Sequence, residues 1–301
     1  MAFYLGIDAG GTHTRARLTS ADGEVLGSGE AGPANTRIGL RNALRAVRGA
    51  YAQAIIEAGL DRNDIRQIYG GLGIAGLNRR GVLSGLQSHA FPFRSIAFAS
   101  DASIANLGAH AGEDGAICIV GTGSIGFARV GGEAFSVGGY GFPISDEGSG
   151  ADLGLRAVRR SLWARDGRIP HTEMTREVLD RFGGSAGEIV YWMDRATATD
   201  YAAFAPLVMD CAAQGDAVAE PIVQEGALRI DRLIRVLLER GAPYCCLMGG
   251  LAVRMQDWLA LGIRERLREP LGDAIDGALL LARTRAQAEG ARERHDRTRN
   301  L

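Results

Sequence analysis

Apolar positions fall into two kinds of run along this chain: short stretches that end on glycine turns, and longer ones with apolar residues every three or four positions. Phe3-Tyr4-Leu5-Gly6-Ile7 is of the first kind and reads as a buried strand. It ends on Asp8, turns through Gly10-Gly11-Thr12 and returns as a strand over 15–19. Asp22-Gly23 is a tight-turn signal, with a third antiparallel strand expected over 24–29. Apolar residues at 40, 44, 47, 51, 55 and 58 predict a helix over 40–58. A strand over 68–74 runs into another glycine turn, a helix is expected over 79–90, and a short apolar strand over 96–100 ends at Asp101 ahead of a helix over 103–110.

The pattern then restarts. A strand over 116–120, the turn Gly121-Thr122-Gly123-Ser124, a return strand over 125–130 and a third over 133–137 repeat the opening arrangement. Helices are predicted over 150–164, 174–182, 200–214 and 217–240, and a buried strand over 244–248 closes on Gly249-Gly250. A last helix opens at 273–279 and leads into a charged tail, 283–301, expected to be frayed or disordered.

The turns carry the candidate chemistry. Glycines let a backbone approach a ligand closely, successive N–H groups form an anion nest, and Thr12 and Thr14 add hydroxyls. Asp8 would repel a phosphate directly, so its role there is through a cation, water-coordinated Mg²⁺. An ordinary glycine hairpin is the plain alternative; the return of the same device at 121–124 argues against it. Asp101, between an apolar strand and a helix, is read either as a general base or as a helix N-cap. Asp146-Glu147 precedes a helix near residue 150, where acidic residues also serve the helix dipole.

Composition narrows the options. At 301 residues with 46% hydrophobic and 23% charged positions, the chain has room for two domains, and a net charge of −1 gives no field to attract nucleic acid or an anionic membrane. All 34 basic residues are arginine, which excludes lysine-dependent P-loop, protein-kinase and pyridoxal sites. The four cysteines show no metal-binding spacing and are expected as buried thiols in a reducing cytosol. With no secretory leader and no apolar span of membrane length, a cytoplasmic location is expected.

Asp8-Ala9-Gly10-Gly11-Thr12, Asp101, Gly121-Thr122-Gly123-Ser124, Met248-Gly249-Gly250-Leu251-Ala252 and the helix start at 274–278 match, in order, the motifs of the actin-like (ribonuclease H-like) ATPases. The stretch Gly138-Gly139-Tyr140-Gly141-Phe142-Pro143-Ile144-Ser145-Asp146-Glu147-Gly148-Ser149-Gly150 resembles the N-acetylglucosamine and glucosamine kinases, in the family that also holds the BadF/BadG/BcrA/BcrD-type ATPases. Asp166-Gly167, Pro170-His171-Thr172 and Gln256-Asp257-Trp258-Leu259 look like the glucosamine kinases among them.

The resemblance covers residues 3–282 and implies an α/β fold of duplicated βββαβα units in two domains around a cleft. Domains of 1–110 and 111–301 are expected, with the terminal helix packing back on the first. It further implies ATP and Mg²⁺ as cofactors, Asp8 orienting the metal's waters, and a homodimer. Gly10, Gly11, Thr12 and Thr14 are expected on one side of the phosphates, with Thr122, Gly123 and Ser124 on the other and Gly249-Gly250 at the adenosine. Asn35, Thr36, Gly139, Asp146 and Glu147 are expected to bind the sugar, with Asp101 as base on the 6-hydroxyl of glucosamine or, alternatively, N-acetylglucosamine. An iron–sulfur activator ATPase of similar fold would need a ligating cysteine in the region that here reads Ser145-Asp146-Glu147-Gly148-Ser149. A sugar-responsive repressor would carry a helix-turn-helix before the first hairpin.

Overall fold

A computed structural model describes residues 2–299 except 35, 37 and 38, with side chains described through 292. The chain forms two compact units, one built from 1–113 and 270–301, the other from 114–269. The boundary between the units lies at 113/114, and residues 270–301 join the first unit through the terminal helix, Ala274–Arg299. Among the described residues no helix is long and apolar enough to cross a membrane.

The first unit is a five-stranded sheet in the order β3-β2-β1-β4-β5, with β1 Phe3–Ala9, β2 Thr14–Thr19, β3 Val25–Ala31, β4 Ile68–Ile74 and β5 Ser95–Ser100. β1 to β3 are antiparallel neighbours; β4 and β5 add in parallel. Helices α1 (Leu40–Glu57), α2 (Arg62–Ile65), α3 (Val82–Ser88) and α4 (Asp101–Ala109) connect them.

The two faces of this sheet are built differently. Leu5, Ile7, Leu18, Ile68, Leu72 and Ile74 form an aliphatic face that packs with Ala43, Val47, Ala50 and Ala54 of α1. On the opposite face Gly6 and Gly71 let the terminal helix lie directly on the sheet. A Cβ on Gly6 would stand 2.8 Å from the Ile275 carbonyl oxygen, and one on Gly71 2.0 Å from that of Ala278. The same helix meets α4 backbone to backbone: a Cβ on Gly277 would lie 1.8 Å from the Ile104 oxygen, and one on Gly108 1.8 Å from the Asp273 oxygen. Only hydrogen fits at such contacts, so these glycines set the separation between layers.

The second unit repeats the arrangement as β8-β7-β6-β9, from β6 Gly115–Val120, β7 Ser124–Val130, β8 Glu133–Gly138 and β9 Cys245–Met248. The order matches β3-β2-β1-β4 of the first unit, and a fifth position survives only as a parallel bridge between Cys245 and Leu267. Helices α5 (Gly150–Arg165), α6 (Glu173–Asp180), α7 (Ala186–Met193), α8 (Ala198–Ala202), α9 (Ala205–Ala213) and α10 (Ala219–Glu239) lie between β8 and β9. All four cysteines are free and buried, and burial pushes the Cys118 thiol up to about 12, which leaves it inert at neutral pH.

Three expectations need correction. The tail is helical: residues 283–299 continue the terminal helix, because alanine, arginine, glutamate and glutamine are strong helix formers. Its charges also find partners, with Arg283 donating to the Ala21 carbonyl at 3.0 Å and Glu289 pairing with Arg94 at 3.5 Å. The single helix over 200–214 is two, because Pro206 starts α9 afresh. The helix over 79–90 is only Val82–Ser88, since Gly81 at φ 81° cannot continue a helix backward.

Gly71→Val should destabilise the protein by about 3 kcal/mol or more, since the side chain collides with helix backbone that cannot swing aside. Gly262→Ala, where nothing lies within 4 Å of the new Cβ, should change stability by less than about 0.5 kcal/mol. Urea unfolding of both variants checks the contrast; equal midpoints would refute the close contact.

Candidate active site

In the first unit, β1 delivers Asp8 to the mouth of a hairpin closed by Gly10 N–H donating to the His13 carbonyl at 3.0 Å. Antiparallel pairing places Arg15 opposite Asp8, and the guanidinium Nη2 donates to Asp8 Oδ2 at 3.0 Å. Its Nη1 donates to Asp273 Oδ2 at 3.4 Å, so one arginine links the hairpin carboxylate to the cap of the terminal helix. Arg17 repeats the device one pleat along, meeting Asp276 at 2.7 Å.

The hairpin is tied to two further segments. Ala34 N–H donates to the Gly10 carbonyl, and Ala75 N–H to that of Ala9, both at 3.0 Å. Thr36 Oγ1 lies 3.1 Å from the carbonyls of both Ala75 and Gly76, and its N–H donates to Ala75. The structure thus brings Thr36 to the first hairpin but commits its hydroxyl proton to backbone. Asn35 lies outside the described residues. Thr14 is fully buried and donates to the Gly32 carbonyl at 2.8 Å, so it holds β2 to the loop that follows β3. Thr12 is exposed at the turn, with His13 Nδ1 3.1 Å from its hydroxyl.

Asp101 is the first residue of α4, and it is not the cap. Ser100 takes that place, its hydroxyl accepting from Ser103 N–H at 3.1 Å. The Asp101 carboxylate accepts from Ala102 N–H at 2.9 Å. Burial raises its pKa above the ordinary aspartate value, and the charge of Asp8 adds to the rise.

The second unit carries the other hairpin, Gly121-Thr122-Gly123, closed by Gly121 N–H on the Gly123 carbonyl at 2.9 Å. Its outward carbonyls are used: Gly150 N–H donates to Gly121 at 2.8 Å and Ala151 N–H to Thr122 at 3.2 Å. The first turn of α5 thereby satisfies its orphan donors on the hairpin itself. Ser124, buried, donates to the Glu147 carbonyl at 2.8 Å, while Thr122 is exposed. Parallel pairing of β6 with β9 brings Gly249-Gly250 beside this hairpin. Gly249 holds φ 100°, and a Cβ there would sit 2.5 Å from the Val120 carbonyl oxygen, so no other residue fits.

The loop from Gly138 to Ser149 is fastened by Asp146. At φ 65° it turns its carboxylate against Gly123, where a Cβ would be 2.7 Å from Oδ2, and it accepts from the N–H groups of Gly141, Phe142 and Ser124. Burial raises its pKa and those donors oppose the rise, with Glu147 adding to it. Glu147 Oε2 accepts from Ser145 Oγ at 3.4 Å. Gly139 is packed on Ile125, its prospective Cβ 2.7 Å from that side chain.

Two residues escaped the sequence reading. Arg15 was legible from the hairpin register, which sets it across from Asp8. Ser100 is a preferred capping residue directly before Asp101.

Residues 5–282 match the BadF/BadG/BcrA/BcrD ATPase family. The chain is 41% identical over 282 residues to the glucosamine kinase GspK of Vibrio cholerae, covering 94% of this chain and 96% of that protein. It is 27% identical to an N-acetylmuramic acid/N-acetylglucosamine kinase of Clostridium acetobutylicum, over 79% of this chain and 80% of the relative. Among solved structures, a Chromobacterium violaceum protein provisionally named an N-acetylglucosamine kinase matches with a TM-score of 0.86 and 37% identity, over 94% of this chain and 99% of that one. A ROK hexokinase of Thermus thermophilus shares the fold at a TM-score of 0.56 and 20% identity, over 94% and 98% of the two chains.

Because the folded pKa of Asp101 is raised, ionisation costs stability as pH rises from the ordinary aspartate range through that higher value. Asp101→Asn keeps an acceptor for Ala102 and removes the charge, so its melting temperature should exceed that of the wild type at pH 7. The gain should shrink as pH falls into the ordinary aspartate range. A variant that melts lower at every pH would refute the buried-charge reading.

Proposed function

Because the chain belongs to the BadF/BadG/BcrA/BcrD ATPase family, we propose that it is an ATP-dependent amino-sugar kinase that phosphorylates the 6-hydroxyl of glucosamine. The observation that carries the mechanism is the division of labour at the start of α4: Ser100 caps the helix, which leaves the Asp101 carboxylate to take a proton. A raised pKa makes it a stronger base than an ordinary aspartate, and it accepts the 6-hydroxyl proton as that oxygen attacks the γ-phosphorus.

Phosphate binding falls to backbone and hydroxyls, because the chain has no lysine. Gly10, Gly11 and Thr12 serve from the first unit, and Thr122 with Gly123 from the second. Gly249-Gly250 offers a flat backbone surface to the adenosine. The buried, committed hydroxyls of Thr14 and Ser124 support the hairpins from behind. Among the described residues no group of three or more histidine, cysteine or acidic side chains could cage a metal. Asp8, with one oxygen on Arg15, and the nearby Asp101 fit a Mg²⁺ held through water and phosphate oxygens. Bound there, the ion would neutralise charge on the phosphates.

For the sugar, we assign Asp146, Glu147, Gly139, Asn35 and Thr36. Three N–H donors on Asp146 leave its carboxylate one lone-pair direction for a sugar hydroxyl. Glu147 is the partner for the cationic 2-amine. A homodimer in the cytoplasm completes the proposal.

Asp101→Asn should lower kcat by about 10²–10⁴ with nucleotide binding intact, because an amide cannot accept the proton. Turnover within a few-fold of wild type, in a coupled ADP-release assay, would leave Asp101 without a catalytic role.

In the same assay, kcat/KM for glucosamine should exceed that for N-acetylglucosamine by on the order of 10²–10⁴. Glu147→Gln should narrow the ratio, chiefly by weakening glucosamine. Equal or higher kcat/KM for the acetylated sugar would make the enzyme an N-acetylglucosamine kinase with the same mechanism.

A further inference from the structure

The first unit contains a cavity of about 860 Å³ that the proposed reaction does not use, lined on one side by α1 and on the other by the chain that follows α3. Arg41, Arg45 and Arg48 line it from α1. Their spacing of four and three residues puts them along one side of the helix, over a rise of about 10 Å. The opposite wall is His89, Ala90, Phe91 and Pro92.

Among the described residues no aspartate or glutamate lines this cavity. Elsewhere Arg15, Arg17, Arg94, Arg156 and Arg254 each meet a carboxylate. Among the described residues no carboxylate pairs with Arg41, Arg45 or Arg48, and Arg45 donates only to the Asn42 amide oxygen at 3.2 Å. Three guanidinium groups along one side of the helix offer an anion in the cavity several charged donors.

The wall across from them is aromatic and braced. His89 meets Phe91 edge to face at 4.8 Å, Phe91 stacks on Phe93 at 6.0 Å, and Tyr51, also lining the cavity, meets Phe93 at 5.0 Å. Phe98 supports Phe91 from behind at 5.9 Å. A row of cations facing rigid ring surfaces suits a ligand with a phosphate chain at one end and a flat ring at the other. The volume lies in the range of pockets that take a molecule of this size.

We propose that this cavity is a second nucleotide site, in which Arg41, Arg45 and Arg48 hold the phosphates of a nucleoside di- or triphosphate and the base lies against His89 and Phe91. It shares no residue with the first hairpin or Asp101 and does not depend on the kinase assignment. The test is equilibrium dialysis with radiolabelled ADP on the wild type and on the charge-reversed double variant Arg45→Glu/Arg48→Glu. Both side chains are exposed, so the fold should survive, as circular dichroism would verify.

One ADP per chain should depend on these arginines, with its affinity reduced on the order of 10²-fold or more in the variant, whatever binds at the hairpins. ADP uptake unchanged by the double reversal would overturn the proposal. So would displacement of the arginine-dependent ADP by glucosamine 6-phosphate at equal concentration, which would make the cavity a phosphosugar site.

Discussion

The backbone contact between the terminal helix and the glycine face of the first sheet governs much of this molecule. A sheet that presents Gly6 and Gly71 to a helix lets the two approach until main chain touches main chain, and Gly277 against α4 extends the contact sideways. Strand β1, the terminal helix and α4 are therefore fixed against one another by close main-chain contacts. Asp8 ends that strand and Asp101 begins α4. The two carboxylates sense each other because the layers that carry them cannot drift apart. Arg15 and Arg17 reinforce the same registration with charge, joining the hairpin strand to Asp273 and Asp276.

Much of this was legible in the sequence, and the limits have physical causes. Glycine-ended apolar runs predicted the strands well because a buried strand needs little more than apolar residues and a stop; Ile68–Ile74 was found to the residue. Helix ends were harder, since the break at Phe204-Ala205 and the start at Val82 are decided by a proline and a left-handed glycine rather than by periodicity. The tail misled because high charge was read as solvation, while Arg283 and Glu289 in fact meet partners far away in sequence.

For the site, residue type revealed where the turns were but not which atoms were spoken for. Thr14, Thr36 and Ser124 look like ligand donors in a string of letters, yet each spends its proton on a carbonyl. Asp146 looks like a sugar contact, and the fold first uses it to fasten its own loop. Such commitments depend on contacts between segments distant along the chain, which no local pattern encodes. The second hairpin illustrates the gain: because α5 takes up the carbonyls of Gly121 and Thr122, the turn's conformation is fixed by the helix that follows the loop rather than by the glycines alone.

The split of the first unit between residues 1–113 and 270–301 has a consequence for how the chain is made. During synthesis the second unit, an uninterrupted stretch, is complete as soon as residue 269 has left the ribosome, and it can fold at once. The first sheet, though synthesised earlier, must wait with one face bare until the last helix arrives. At Gly6 and Gly71 that face brings no side chain to the wait, so the early half exposes less adhesive surface than a leucine-covered sheet would present.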